Sequence, residues 1–252
     1  MQPFDPTRLE CCVRLVCVSG LLALGLAVSI ATGASAEVDV QWNKGSGPAQ
    51  MAKGLPNPPG WYRAAVGPAT TEKVLYVTFD DGPSRFTPRL LKILQKHDAR
   101  ATFFVAGGYA KANPKVIRRM DADGHAIGNH TWWHPRLTEV STPRVRRELA
   151  STKKAIGPIA APCMRPPYGQ IDRRVATVAI DLGLQPVLWT AHIEDWQPHS
   201  LAWTVARLKR DTKPGAVILM HDTHAQTIDA VATVLPYWLR KGYRLLPVPA
   251  CQ

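Results

Sequence analysis

Val74-Leu-Tyr-Val-Thr-Phe-Asp-Asp-Gly-Pro83 sets an apolar, β-branched run directly before two carboxylates and a Gly-Pro turn. A run of that length and composition reads as a strand rather than a helix. Neighbouring residues leaving a strand point in different directions, so Asp80 and Asp81 are free to serve different tasks. Asp-Gly-Pro is also ordinary turn chemistry. The two readings agree: Gly82 and Pro83 turn the chain while the aspartates act.

The same texture repeats on the C-terminal side. Further strands are expected at 101–105, 126–128, 161–165, 186–190, 216–220 and 244–248. Helical patterns lie between them at 87–97, 114–122, 141–156, 172–182, 201–211 and 227–241. Several of these run into a glycine, such as Gly124, Gly183 or Gly242, and the 141–156 helix opens on Ser/Thr caps with a proline in its first turn. Strand–helix alternation of this kind makes an α/β fold with a parallel sheet, open or closed into a barrel. No glycine-rich phosphate loop follows the first strand, which counts against an open nucleotide-binding sheet.

On the N-terminal side the texture changes. The 252 residues are 46% hydrophobic and 20% charged, a globular balance that suits one large domain, which we place at 73–252. Residues 37–72 are rich in Gly and Pro (Gly45, Gly47, Pro48, Pro56, Pro58, Pro59, Gly60) and read as a linker or lead-in. Before them, Arg8 and Arg14 precede an apolar stretch at 15–30 that ends in Ala34-Ser35-Ala36. That is the order of a secretory signal peptide over 1–36, cleaved before Glu37, with an uncleaved membrane anchor as the alternative. Export to the periplasm or beyond is the expected location. The mature chain then keeps Cys163 and Cys251, which such a compartment would allow to pair, though the sequence does not give their separation.

The net charge is +12, and it fits attraction to an anionic cell wall or membrane surface. Nucleic acid is not expected as a partner. The basic residues are scattered (Lys111, Lys115, Arg118, Arg119, then Arg144, Arg146, Arg147) rather than gathered beside exposed aromatics, and they read as solvated helix faces.

The polar residues of interest fall just past the expected strand ends. Asp80-Asp81 follows the first strand, His130 and His134 the third, Arg165 closes the fourth, Asp195-Trp196 follows the fifth and His221-Asp222 the sixth. In a parallel barrel the carboxyl ends of the strands converge on one rim, where active sites are built. Two histidines and one carboxylate with an open position make a hydrolytic metal site, and His130-Thr-Trp-Trp-His134 with the aspartates supplies that set. Arg165 suits a bidentate hold on a carboxylate, and His221 suits a general acid.

These residues resemble the polysaccharide deacetylases, the NodB-homology group of carbohydrate esterases. The resemblance rests on Thr78-Phe-Asp-Asp-Gly-Pro83, His130-Thr-Trp-Trp-His-Pro135, Arg165-Pro-Pro-Tyr168, Asp195-Trp196 and Leu219-Met-His-Asp222, in family order. It implies a distorted parallel (β/α) barrel of about seven strands and one divalent metal, usually Zn, with Co or Ni also serving. By position it implies Asp81, His130 and His134 as metal ligands and Asp80 as general base steadied by Arg165. It further implies a Tyr168 backbone N–H that stabilises the oxyanion and His221 as the acid for the leaving amine. Trp196 and Leu219 would wall a small pocket for the acetyl methyl.

One motif departs from the pattern. The family reads Asp-x-x-Asp-Trp, with its first Asp taken as support for the acid histidine, whereas this chain reads His192-Ile-Glu-Asp-Trp196. An imidazole there would not raise the pKa of His221 as a carboxylate does. Glu194, Asp195 and Asp222 are the candidate substitutes. The implied function is removal of acetyl groups from an N-acetylated glycan polymer such as peptidoglycan, a chitin-like oligosaccharide or an exopolysaccharide. The alternatives are an O-acetyl polysaccharide esterase and a non-catalytic sugar-binding relative.

Overall fold

Strand β1 (Val74–Asp80) is buried along its whole length. The computed structural model to which it belongs describes residues 70–252. The leader expected at 1–36 and nearly all of the lead-in at 37–72 therefore lie outside the described residues.

After β1 come β2 (Thr102–Val105), β3 (Ala126–Asn129), β4 (Cys163–Met164), β5 (Gln185–Pro186), β6 (Ala191–His192), β7 (Ala216–His221) and β8 (Arg244–Leu245). Their order in the sheet is β5-β4-β3-β2-β1-β7-β6, and every pairing is parallel. On the side of β1 that carries β2, the first two residues pair instead with β8. Helices α1 (Thr87–Lys96), α2 (Gly107–Ala112), α3 (Pro114–Ala122), α4 (Thr142–Ile156), α5 (Arg173–Asp181), α6 (Leu201–Arg210) and α7 (Ala225–Arg240) complete the α/β alternation. Among the described residues no helix is long and apolar enough to cross a membrane.

The result is a distorted (β/α) barrel, and its seam is where the sequence reading needs correcting. The strand expected at 186–190 does not run as one. The chain pairs with β4 at Gln185–Pro186 and, after four residues, with β7 at Ala191–His192, so one short stretch serves both edges of the sheet. The Val187 N–H still donates to Met164 O (2.8 Å), and the Thr190 N–H donates to Val217 O (2.9 Å). Between them the carbonyls of Val187 and Leu188 find no strand. Arg165 supplies their donors, Nε to Val187 O (3.2 Å) and one terminal nitrogen to Leu188 O (2.9 Å). A buried side chain thus completes a ladder that the backbone leaves open.

Strand alternation sorts the core into two faces. Leu75, Val77 and Phe79 of β1 pack outward with helical residues such as Leu90, Val231 and Trp238. Val74 and Tyr76 face the barrel interior with Phe104, Cys163, Trp189, Val217 and Leu219. Period two then carries Thr78 and Asp80 onto that interior face, and likewise His221 after Leu219. Cys163 and Cys251 are joined as a disulfide across an 88-residue separation, which ties the C-terminal end of the chain to β4. At the helix starts, Asp172 and Ser200 cap α5 and α6 through their side chains, but Ser141 makes no side-chain cap on α4, which begins at Thr142 with Pro143 in its first turn.

Candidate active site

Strand ends β1, β3, β4 and β7 deliver Asp80, Asp81, His130, Arg165 and His221 to one rim, and the turn after β3 adds His134. Asp81 Oδ1 lies 3.4 Å from His130 Nε2 and 3.4 Å from His134 Nε2. Two ligands of one tetrahedral zinc, each about 2.0–2.1 Å from it, stand roughly 3.4 Å apart, so the three donors fit around a single ion. Among the described residues they form the one Asp/His group compact enough to hold a metal.

The hydrogens are placed to match. His130 Nδ1 lies 2.8 Å from the Arg165 carbonyl, which can only accept, so Nδ1 carries a proton and Nε2 is the nitrogen turned toward Asp81 and the donor set. The turn between the histidines is strained: Thr131 has φ 64° and His134 φ 56°. Neighbours hold it there. Thr131 N–H donates to Asn129 Oδ1, His134 N–H to Thr131 Oγ1, and Gly107 N–H to Thr131 O.

Glu148 anchors the same turn, and sequence reasoning missed it. Its Oε2 accepts the N–H groups of Trp132 (2.9 Å) and Trp133 (2.8 Å), while Oε1 takes Arg144 Nε (2.7 Å). The signal emerges only once the buried face of α4 is known. Val145, Glu148, Leu149, Thr152 and Ile156 form the buried stripe of α4, and a glutamate in such a stripe needs a polar partner.

Asp80 is held apart from the ligands. Arg165 is fully buried, and one terminal nitrogen donates to both Asp80 Oδ1 (2.7 Å) and Thr78 Oγ1 (2.7 Å). Asp80 Oδ2 stands 3.8 Å from His130 Nε2. Across the site, His221 Nδ1 is 2.8 Å from Asp195 Oδ1, and its backbone N–H donates to Asp195 Oδ2 (2.7 Å). Thr227 Oγ1 donates to that same oxygen. His221 Nε2 then faces Asp81 Oδ2 at 4.0 Å.

The remaining expected residues divide. Tyr168 sits at φ 60°, its ring 4.7 Å from that of His134 and beneath the Arg136 guanidinium. Trp196 is half exposed with its ring 5.4 Å from His221. Leu219 is buried within the barrel, two residues before His221 on the same face of β7.

Residues 67–187 match the sequence profile described as polysaccharide deacetylase. Over 184 residues the chain is 35% identical to the peptidoglycan-N-acetylglucosamine deacetylase PgdA of Listeria monocytogenes, a match spanning 71% of this chain and 39% of that one. It is 34% identical over 194 residues to the chitooligosaccharide deacetylase of Azorhizobium caulinodans, spanning 69% of this chain and 92% of the relative. The chain belongs to the polysaccharide deacetylase family. A crystallised peptidoglycan N-acetylglucosamine deacetylase superposes with a TM-score of 0.69 at 32% identity, covering 73% of this chain and 90% of that one. The chain therefore spans well under half of the Listeria protein.

Within the polysaccharide deacetylase pattern, the position of His192 loses its importance. The support for His221 comes from the second aspartate of the motif, Asp195, which corrects the expectation drawn from the first. Glu194 turns instead to His192 (3.1 Å) and Arg207 (3.6 Å). Asp222 lies under Gly82 and takes the Thr87 hydroxyl. Burial raises the pKa of Asp222 to about 7, so it is no fixed counter-charge for its neighbour.

Burial alone would lower the pKa of His221, but the Asp195 hydrogen bond and charge, with Asp80 and Asp81, raise it to about 9. Burial likewise opposes ionisation of Asp81, yet the His130 hydrogen bond and the imidazole charges hold it well below the carboxylate range. A general acid acts while protonated, so if His221 fills that role turnover is expected to fall as pH rises through its pKa. Asp195→Asn removes the carboxylate that raises that pKa, and the alkaline limb of kcat/KM against pH is expected to move to lower pH. An unmoved limb would assign it to another group.

Proposed function

We propose that this chain is a metal-dependent hydrolase that removes acetyl groups from N-acetylated sugar units of a polysaccharide, with zinc as the metal. One observation carries the reading: a two-histidine, one-aspartate donor set lies between a carboxylate held by arginine and a histidine held by aspartate. The relatives named as peptidoglycan and chitooligosaccharide deacetylases support the bond class and the glycan. The leader expected at 1–36 would direct export and so bring the enzyme to a wall or secreted polymer.

Asp81, His130 and His134 would hold the metal, which when bound supplies Lewis acidity toward the acetyl carbonyl and the attacking water. Asp80 takes the proton from that water as its oxygen adds to the carbonyl carbon. The Arg165 guanidinium pairs with Asp80 and aims it. The backbone N–H of Tyr168 donates to the carbonyl oxygen as it becomes negative. His221 then gives its Nε2 proton to the sugar nitrogen as the C–N bond breaks, leaving acetate and a free amine. Trp196 and Leu219 wall the acetyl methyl.

The test is acetate release from N-acetyl chito-oligosaccharides and from peptidoglycan, after chelator stripping and again with zinc. Release lost on stripping and restored by zinc is the expected result. A folded, zinc-loaded protein that frees no acetate from either would sink the reading, and O-acetylated xylan would then be the next substrate to offer.

A further inference from the structure

A groove of about 490 Å³ lies between the loops after β1 and β7 and residues of α1, α2 and α3. Its lining begins at Pro83 and Thr223, two residues beyond Asp81 and His221, and continues past Arg85 to Tyr109 and Asn113. Its near end is thus joined through the chain to the loops that carry a metal-ligand candidate and the acid candidate.

The far wall is built rigidly. Tyr109 stands on α2, whose start is bonded to both ligand loops: Ala106 N–H donates to Gly82 O (3.0 Å) and Gly107 N–H to Thr131 O (2.9 Å). Gly107 permits that approach, since a Cβ there would meet Thr152 Oγ1 at 2.4 Å and Trp132 Cε3 at 2.5 Å. Asn113 Nδ2 closes the other end of α2 on Tyr109 O (2.9 Å). Tyr109 is 57% exposed, an aromatic side chain of the kind on which sugars stack.

Arg85 gives the groove its sign. It is exposed, and among the described residues it has no carboxylate partner; its guanidinium lies 4.6 Å over the Phe86 ring. Arg89, one turn on, is paired with Asp229. Among the described residues no acidic side chain lines the groove, and the chain as a whole carries +12. The hydroxyls of a neutral sugar accept single hydrogen bonds from a guanidinium, whereas a carboxylate accepts in two places and also neutralises its charge.

We infer that this groove is a subsite for a sugar bearing a carboxylate, next to the unit that is deacetylated, with Tyr109 stacking on the ring and Arg85 binding the acid. The inference rests on the deacetylase reading and narrows it to an acidic glycan, as peptidoglycan is, over a neutral chitin-like chain. Two carboxylates of that polymer share the chemistry: the lactyl acid of a muramic acid without a stem peptide, and the acids of the stem peptide where that peptide is joined to the lactyl group.

The experiment compares Arg85→Gln, Arg85→Lys and the unaltered chain on three zinc-supplied substrates. These are N-acetyl chitopentaose, glycan strands stripped to the free lactyl acid, and strands with stem peptides intact. Arg85→Gln is expected to lower kcat/KM about tenfold on an acidic strand, through KM, as fits loss of one charge-assisted contact. Its effect on chitopentaose should stay below about twofold, and Arg85→Lys should recover part of the loss. Loss on the stripped strands assigns the lactyl acid, and loss only on intact strands assigns the peptide. Equal loss on all three, or none on any, overturns the subsite.

A binding measurement separates this outcome from failure of the parent reading. Asp80→Asn and the double variant Asp80→Asn/Arg85→Gln are titrated with each acidic strand and with chitopentaose. If the unaltered chain frees no acetate at all, the deacetylase reading has failed. The subsite still stands on about tenfold weaker acidic binding by the double variant, and falls if the two bind alike.

Discussion

Asp80→Asn is expected to lower acetate release by about 10²–10⁴-fold, the range that a positioned general base contributes. The substituted amide would still accept from Arg165 through its oxygen, as Asp80 Oδ1 does at 2.7 Å, but it could not take a proton. Because Asp80 lies outside the donor set of Asp81, His130 and His134, zinc affinity measured by titration calorimetry should change little. Activity retained within tenfold would place the base elsewhere. Loss of zinc binding alongside activity would mean that Asp80 serves the metal rather than the water.

Arg165→Lys carries the second large effect, and it falls on stability and activity together. Arg165 is fully buried and donates to Asp80, Thr78, Val187 O and Leu188 O at once. A lysine keeps the charge but has a single nitrogen, which cannot reach the seam carbonyls and Asp80 from one position. The carbonyls are then buried without donors, and the ion pair loses its geometry. Breaking a buried pair of this kind costs about 3–5 kcal/mol. Chemical denaturation of the metal-free protein should show a loss of that order, with acetate release reduced at least about 10²-fold as Asp80 loses its aim. A lysine variant as stable as the parent would show that the guanidinium does not hold the seam.

Much of this was legible in the chain itself. The residues 74–81 announce a buried strand ending in two carboxylates, and β1 ends at Asp80. The H-x-x-x-H spacing, the arginine before Pro166-Pro167 and the histidine closing an apolar run all reach the rim. Three features were not legible. Strands of two residues, such as β5 and β6, carry no period for a pattern to show. Helix α2 hides in Gly107-Gly108, which reads as a loop until Trp132 and Thr152 are seen packed against Gly107. Glu148 reads as a solvated helix residue unless the orientation of α4 is known.

The sequence by itself determined the α/β alternation, the family and the chemical types gathered for the site, because these depend on local pattern and on motif identity. Only the tertiary structure decided which acid supports His221. Glu194, Asp195 and Asp222 lie within a few residues of His192 or His221 along the chain, and each could have served. The turn after β6 aims Asp195 at the backbone nitrogen and Nδ1 of His221, sends Glu194 to His192 and Arg207, and leaves Asp222 beneath Gly82. Direction in space is set by how separate strands meet at one rim, and no spacing along a single chain encodes it.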